Sequence, residues 1–264
     1  MRATTLGEGK PDVAIVGAIH GDEPAGVRPI ERLVEEDLAV DRPVKLIVAN
    51  EEAFERNVRY VDEDLNRAFP GDPNAETHEG RLAAKLAGEL EDCTTLSLHS
   101  TQSHGEPFAV AHGLIDPIRD VVPRLPVMAV VETGEFVQGR LFESVDRLVE
   151  VETGLQGTEQ AAENADRIAR AFLAATGVLP GDAPSRELPV FRLTRQVSKA
   201  PADRYEIFVE NFERVASGKV FAAADGVEKV AQGDFYPVLM SPNGYGDVYG
   251  YAADRVGTIG GADG

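Results

Sequence analysis

A histidine and a glutamate three residues apart, His20 and Glu23, offer two metal-binding side chains in one short segment, His-Gly-Asp-Glu. Two histidines with one glutamate form a recognised zinc set that leaves one coordination position for water. Of the five histidines in the chain, His99 directly follows the strand-like segment 95–98. We therefore predict one zinc ion per chain, held by His20, Glu23 and His99. An isolated His–Glu pair is more often a surface feature, so the spacing alone leaves that alternative open.

A second group of polar side chains occupies residues 59–67, Arg-Tyr-Val-Asp-Glu-Asp-Leu-Asn-Arg. Arginine binds carboxylate through two parallel hydrogen bonds, so arginines beside a metal suit a small substrate that carries carboxylates. A solvated loop explains the same composition, and composition alone slightly favours that explanation.

Alternating strand and helix patterns must position these side chains. Short apolar, β-branched runs predict strands, and apolar residues at helical spacing predict helices from Pro24, over 79–90 and over 160–175. The predicted strands are 12–19, 43–49, 94–98, 107–110, 127–132 and 147–152. This alternation predicts a mostly parallel α/β sheet, in which active sites form at the carboxyl ends of the strands. Since His20 and His99 both follow predicted strands, we expect them to face one crevice.

A turn-rich segment, residues 177–184, separates two regions of different texture. The region before it alternates strands and helices, and the region after it has strands and turns with little helical pattern. We predict an α/β domain over residues 1–180 and a smaller β-rich domain over residues 185–264.

The composition limits the partners and the compartment. Forty-five acidic residues against 26 basic ones give a net charge of -19, which disfavours nucleic acid and anionic membranes as partners and is typical of a halophilic surface. A single cysteine, Cys93, cannot form an internal disulfide and fits the reducing cytoplasm. No segment approaches the ~20 apolar residues that span a bilayer. The oligomeric state stays open, and a homo-oligomer is compatible with the sequence.

Several motifs together resemble the succinylglutamate desuccinylase and aspartoacylase family, relatives of the zinc carboxypeptidases. The resemblance rests on His-Gly-Asp-Glu-Pro-Ala-Gly at 20–26, Asn-Glu-Glu-Ala at 50–53, and the stretch 59–71. It implies a zinc-exopeptidase-like fold, a mostly parallel mixed sheet flanked by helices, whose β-rich carboxy-terminal domain caps the site. It also implies cleavage of the amide bond of a small N-acyl amino acid, with Arg59 stabilising the oxyanion and Asn66 and Arg67 binding a substrate carboxylate.

The segment 96–101 resembles the family's third-ligand motif, in which an aspartate usually stands two residues before the histidine. Here Ser97 occupies that place, which removes an acceptor that would orient His99.

The segment 149–157 resembles the part of the family that carries the general base. Alignment on Gly154 selects Glu152 as the base. The pleat of a strand puts Glu150 on the same face, so it does not separate the two. Glu132, in a second Glu-Thr-Gly sequence, is the main competitor.

Two further substrate-binding residues follow from the resemblance. The family reads the acyl carboxylate with an arginine before the base, and Arg140 or Arg147 could serve, of which we select Arg140. Tyr245 resembles a tyrosine of the terminal domain that reaches the site, and it could equally be an ordinary packed aromatic.

Two other functions compete with this interpretation. One is a zinc carboxypeptidase-like peptidase or a deacylase of a larger amide, which an open groove would favour. The other is a non-catalytic metal- or ligand-binding relative.

Overall fold

The computed structural model describes residues 1–36, 38–181, 184–243 and 246–261. Its strands in chain order are β1 Arg2–Leu6, β2 Val13–Gly17, β3 Val44–Val48, β4 Thr94–Thr101, β5 Phe108–Ala111, β6 Val130–Glu132, β7 Leu148–Leu155, β8 Leu188–Ser198, β9 Tyr205–Ile207, β10 Val220–Ala224, β11 Val227–Val230, β12 Tyr236–Val238 and β13 Val248–Ile259. Ten of these strands, within the described ranges, form one sheet in the order β1-β3-β2-β4-β7-β5-β6-β8-β13-β12.

The central part of this sheet is mostly parallel. Strand β2 runs parallel to β3 and β4, and β4 runs parallel to β7. Strand β5 is antiparallel to β7 and parallel to β6. The sheet is therefore mixed, as predicted, and the strand and helix alternation positions the carboxyl ends of β2, β3 and β4 at one edge.

Helices cover both faces of the sheet. The α-helices are α1 Val27–Glu35, α2 Glu51–Glu55, α3 His78–Leu90, α4 Ile118–Val121 and α5 Glu159–Ala175, and short 3-10 helices lie at Pro24–Gly26, Leu65–Arg67, Val122–Arg124 and Leu141–Glu143. Alternate residues of β2 serve the two faces: Val13 and Ile15 pack with α1 and α5, and Val16 packs with α3. Fully burying one such aliphatic side chain stabilises the fold by about 1.5–3 kcal/mol, which explains why β2 reads as a continuous apolar run.

The loop after β2 is packed closely against α2. A Cβ added at Gly21 would lie 2.2 Å from the carbonyl carbon of Ala53. The backbone N–H of Gly21 also donates to the carbonyl of Arg59 at 3.1 Å. Only glycine allows the loop to come this close to α2, because any other residue would carry a Cβ atom. The packed loop fixes the positions of His20, directly before Gly21, and of Glu23, two residues after it.

The carboxy-terminal region is rich in strands, as predicted. Strands β8, β13 and β12 extend the main sheet, with β8 parallel to β6, while β9, β10 and β11 form a separate three-stranded antiparallel sheet. The division into two domains at 177–184 stays a prediction, and residues 182 and 183 of that segment lie outside the described ranges.

Over the described residues, no helix combines the length and the apolar character that crossing a membrane would require.

Candidate metal and hydrolase site

The three predicted ligands lie together at the carboxyl edge of the sheet. His20 follows β2, His99 lies near the end of β4, and Glu23 precedes the 3-10 helix that leads into α1. One donor atom from each residue lies within 4.8 Å of the others, and all three side chains are buried. The Nδ1 atom of His20 is 2.8 Å from Glu23 Oε1, and that of His99 is 3.2 Å from Glu23 Oε2. Glu23 is held in place because its Oε2 also accepts the backbone N–H of Ser100 at 3.1 Å.

Negative charge dominates this cluster. Burial opposes the charged form of His99, but Glu23, Glu150 and Glu152 raise its pKa to about 9. The pKa of His20 is also raised, since Glu23 and Asp64 outweigh the effect of burial. Burial likewise raises the pKa of Glu23, but the two imidazoles lower it well below its usual range. An environment that binds protons on two buried imidazoles would also bind a cation.

The predicted loop 59–67 reaches the cluster through Asp64. Its Oδ1 lies 3.1 Å from Nε2 of His20, and its Oδ2 accepts two hydrogen bonds from the Arg59 guanidinium at 2.9 and 3.1 Å. The pKa of Asp64 is lowered because His20, Arg59 and Arg67 outweigh its partial burial. Arg59 also places NH1 3.5 Å from Glu23 Oε1. Asp64 and Arg59 of this loop therefore contact the cluster, although the Arg59 side chain remains 36% exposed.

A buried glutamate, Glu79, anchors the same loop from beneath. It lies in the first turn of α3, is 0% exposed, and its carboxylate accepts the backbone N–H groups of Val61, Asp62 and Glu63 at 2.6, 3.0 and 3.2 Å. The side-chain amide of Asn50 donates to it at 2.9 Å. The three backbone bonds fix the loop between Arg59 and Asp64, and the bond from Asn50 holds the carboxylate that accepts them.

Two glutamates of β7 face the cluster, because residues 150 and 152 lie on one side of the pleat. Glu152 is in register with His99 of β4, and its Oε2 is buried with no hydrogen-bond partner among the described residues. Burial, with Glu23 and Glu150 nearby, raises the pKa of Glu152 to about 7. Glu150 is 6% exposed and is contacted by Asn66 and His99. Glu132, the third candidate, lies on β6 and pairs with Arg192 at 2.7 Å.

One pocket of about 70 Å³ joins the cluster to both glutamates and to the predicted substrate-binding side chains. Its lining includes His20, Glu23, Arg59, Asn66, Arg67, His99, Arg140, Glu150 and Glu152. Asn66 is buried and its Oδ1 accepts the backbone N–H of Leu141 at 3.0 Å, whereas Arg67 is exposed at the rim.

Arg140 reaches the pocket from the segment after β6. It is 9% exposed and donates to the hydroxyl of Tyr251 at 2.8 Å. A Cβ added at Gly139 would lie 2.6 Å from the Arg67 carbonyl oxygen, so glycine permits this segment to dock on the loop that carries Arg67. Arg147 instead donates to the carbonyl of Asp92. Tyr245 lies outside the described residues.

The carboxy-terminal region contributes part of the pocket wall. Leu239 and Ser241 line the pocket, and the side-chain amide of Asn211 donates to the carbonyl of Ser103, another lining residue, at 2.8 Å. This contact ties the segment after β4 to the region that follows β8.

A divalent cation fits this arrangement on two observations. Imidazole nitrogen and carboxylate oxygen are ligands that zinc prefers, and the three residues leave a coordination position open. In addition, the unpartnered buried oxygen of Glu152 lies in the same pocket. The arrangement can thus hold a metal and place a carboxylate base beside it.

Comparisons with known proteins agree with the predicted resemblance. Residues 9–120 match the model of the succinylglutamate desuccinylase/aspartoacylase catalytic domain. The aspartoacylase of Xenopus tropicalis is 40% identical over 108 residues, which cover 35% of this chain and 34% of that protein. The matches thus span about a third of the length of these curated relatives.

Solved structures extend the likeness in fold over nearly the whole chain. The product-bound ectoine utilization protein EutE (DoeB) from Ruegeria pomeroyi has a TM-score of 0.78 at 22% identity, covering 97% of this chain and 88% of that one. The succinylglutamate desuccinylase/aspartoacylase from Rhodobacter sphaeroides has a TM-score of 0.79 at 18% identity, covering 96% and 89%. The resemblance predicted from the sequence is confirmed, and so is the fold.

Proposed function

We propose that this chain, whose residues 9–120 match the succinylglutamate desuccinylase/aspartoacylase catalytic domain, is a zinc-dependent hydrolase that cleaves the amide bond of small N-acyl amino acids. The observation that carries the proposal is the buried His20, Glu23 and His99 cluster, which shares one pocket with the carboxylate of Glu152. Water would add across the C–N bond, giving an acid and a free amine.

His20, Glu23 and His99 would hold the zinc ion through two Nδ1 atoms and one carboxylate. When bound, zinc supplies Lewis-acid activation of water and of the amide carbonyl. The chain's own contribution is to bring these three donors within 4.8 Å of one another, with Asp64 beside Nε2 of His20 to fix that ring.

Glu152 would act as the general base and then as the general acid. It would take a proton from the attacking water and deliver it to the leaving nitrogen, a role typically worth about 10²- to 10⁴-fold in rate. Two features support Glu152: a buried oxygen that lacks a partner among the described residues, and a pKa raised to about 7 by burial and by neighbouring carboxylates. A base with a pKa near the working pH can both accept and return a proton.

Three arginines would bind the substrate. Arg59, held by Asp64 and directed toward Glu23, would stabilise the tetrahedral oxyanion, and losing such a donor typically costs about 3–4 kcal/mol. Arg67 at the rim and Asn66 would fix one substrate carboxylate, and Arg140 would read a carboxylate on the acyl group.

The wall of the pocket supports the proposal that residues 185–264 cap the site, because Leu239 and Ser241 of that region line it. A cap of this kind would favour a small substrate over a peptide. Tyr245 remains a proposed substrate contact of that cap. A cytoplasmic location and the exclusion of nucleic acid follow from composition and stay predictions.

Amine release from a substrate panel tests the proposed activity. Zinc-loaded protein is incubated with N-acetylaspartate, N-succinylglutamate, the corresponding N-acyl alanines, and a dipeptide. We expect turnover of N-acetylaspartate and N-succinylglutamate, whose amino acids carry a side-chain carboxylate, weaker turnover of the alanines, and none of the dipeptide. Glu152→Gln serves as the inactive control. Equal amine release by this variant and by the wild type would contradict the mechanism, and preferred cleavage of the dipeptide would support the peptidase alternative.

A further inference from the structure

The two histidines of the metal cluster are oriented alike relative to Glu23. Each places Nδ1 beside Glu23 and directs Nε2 away from it. A histidine that binds metal through one ring nitrogen carries its proton on the other, and the acceptor of that proton fixes the orientation of the ring. For His20 the acceptor is the carboxylate of Asp64, whose Oδ1 lies 3.1 Å from Nε2. The Arg59 NH2 group, which donates to Oδ2 of the same carboxylate, also lies 2.9 Å from this Nε2.

The surroundings of Nε2 of His99 are different. The nearest acceptor is the hydroxyl oxygen of Ser97, at 3.0 Å, two residues earlier on β4. A hydroxyl has no net charge, so it stabilises a polarised imidazole less than a carboxylate does. A carboxylate is nonetheless present, because Oε1 of Glu150 lies 3.8 Å from the same Nε2.

The sheet explains how this carboxylate reaches His99. Strands β4 and β7 are parallel, and Ser97 is in register with Glu150. Their side chains therefore lie on one face, beside His99, the next residue of β4 on that face. Ser97 is 0% exposed and Glu150 is 6% exposed, so water screens their interaction with the ring only weakly.

Glu150 is also held from its other side. The amide nitrogen of Asn66 lies 3.5 Å from Glu150 Oε1, and the amide oxygen of Asn66 accepts the backbone N–H of Leu141 at 3.0 Å. This chain of contacts orients the carboxylate toward Nε2. Glu152, one step further along β7, has instead a buried oxygen with no partner among the described residues.

We propose that Glu150 is a positioning residue that acts through His99. At His20, the carboxylate of Asp64 is the charged acceptor beside Nε2. At His99, Ser97 and Glu150 fill this role together, and Glu150 supplies the negative charge from the neighbouring strand. The Nε2–H of His99 donates to the Ser97 hydroxyl, and the Glu150 carboxylate lies beside that bond and stabilises it. Glu150 thus increases the affinity of the site for zinc, while Glu152 accepts and returns the proton in the reaction. This inference rests on the proposed metal site.

Zinc affinity tests the role of Glu150 without relying on turnover. The zinc dissociation constant is measured by competition with a chromogenic chelator for the wild type, Glu150→Gln, Ser97→Asp with Glu150→Gln, and the control Glu132→Gln. Glu132 is another strand glutamate, paired with Arg192. We expect Glu150→Gln to weaken zinc binding about 10- to 100-fold. The control should bind as the wild type does. Ser97→Asp should recover most of the loss, since it returns a carboxylate to Nε2 from the other strand.

Rescue by relocation separates positioning from a general structural role, because an aspartate at position 97 would not repair a damaged fold. At saturating zinc, Glu150→Gln should retain kcat within about 10-fold of the wild type. Unchanged zinc affinity in Glu150→Gln, or no recovery in the double variant, would overturn the inference.

Two further results have distinct meanings. A large loss of kcat at unchanged zinc affinity would identify Glu150 as a reacting group and would also overturn the inference. A wild type that binds no zinc would instead defeat the proposed function. If Glu150→Gln does not fold, Glu150→Asp takes its place, because it keeps the charge but withdraws the carboxylate from Nε2 by one methylene group: weaker zinc binding supports the inference, and unchanged zinc binding overturns it.

Discussion

Replacing Glu79 by glutamine tests how the active-site loop is held. The Glu79 carboxylate accepts two hydrogen bonds on each oxygen: from Asn50 and Val61 on Oε1, and from Asp62 and Glu63 on Oε2. A glutamine can keep the first pair. Its amide nitrogen would then face the backbone N–H groups of Asp62 and Glu63, which are donors as well.

The expected loss of stability follows from those two unsatisfied donors. Each buried donor without a partner costs about 1–3 kcal/mol. Because these two N–H groups are only partly buried, we expect Glu79→Gln to lower the free energy of unfolding by about 2–4 kcal/mol at pH 7. Loosening of 61–63 should also displace Arg59 and Asp64, and so reduce kcat/KM.

The loss should depend on pH with a definite sign. Burial raises the pKa of Glu79, but the hydrogen bonds from Val61, Asn50, Asp62 and Glu63 lower it, to a net value below the ordinary 4.5. Since the folded-state pKa is the lower one, ionised Glu79 stabilises the protein above its ordinary pKa. That stabilisation is lost as the pH falls through the folded-state pKa. The difference between wild type and variant should therefore narrow in acid.

Urea unfolding of wild type, Glu79→Gln and the control Glu76→Gln, followed from pH 7 into the acid range, measures this difference. Glu76 is exposed in the turn before α3, so its variant should match the wild type. A difference below about 0.5 kcal/mol for Glu79→Gln at pH 7, within the range of ordinary surface substitutions, would refute the reasoning, as would a difference that does not change with pH.

Three further predictions concern the site and the surface. Glu152→Gln should lower kcat by about 10²- to 10⁴-fold while zinc content by elemental analysis stays unchanged, and a variant that loses its zinc would place Glu152 among the ligands instead. Arg67→Lys should raise KM for a carboxylate-bearing substrate by roughly 10-fold, because lysine keeps the charge but not the planar pair of donors; an unchanged KM would remove Arg67 from substrate binding. Raising KCl from about 0.1 M to about 1 M should raise the Tm, because salt screens repulsion among the carboxylates of a chain with net charge -19, and a falling Tm would contradict the halophilic interpretation.

The strands that position the site could be predicted from the sequence, whereas β1 could not. Strands β2, β3 and β4 are buried on both faces and appear as apolar runs. Strand β1, Arg-Ala-Thr-Thr-Leu, lies at the edge of the sheet with a mostly exposed surface, so it shows no apolar pattern. Its position depends on pairing with β3, which is a tertiary contact.

The candidate site was likewise predictable only in part. His20, Glu23 and His99 follow from strand ends and motifs, but the environments of Glu150 and Glu152 do not, since both lie on one face of β7. Only contacts from other parts of the chain distinguish them. Glu79 was missed for a similar reason, because a glutamate in the first turn of a helix is usually solvated and its burial depends on the loop above it.

Metal content per chain tests the central claim most directly. The wild type and His99→Ala are purified without added metal and analysed for zinc by elemental analysis, before and after incubation with zinc and removal of the excess. We predict about one zinc per chain in the wild type and a large loss of zinc in His99→Ala, because His20 and Glu23 alone leave the three-ligand site incomplete. A wild type that carries no zinc and takes up none on addition would contradict the metal-dependent mechanism and favour a non-catalytic binding protein.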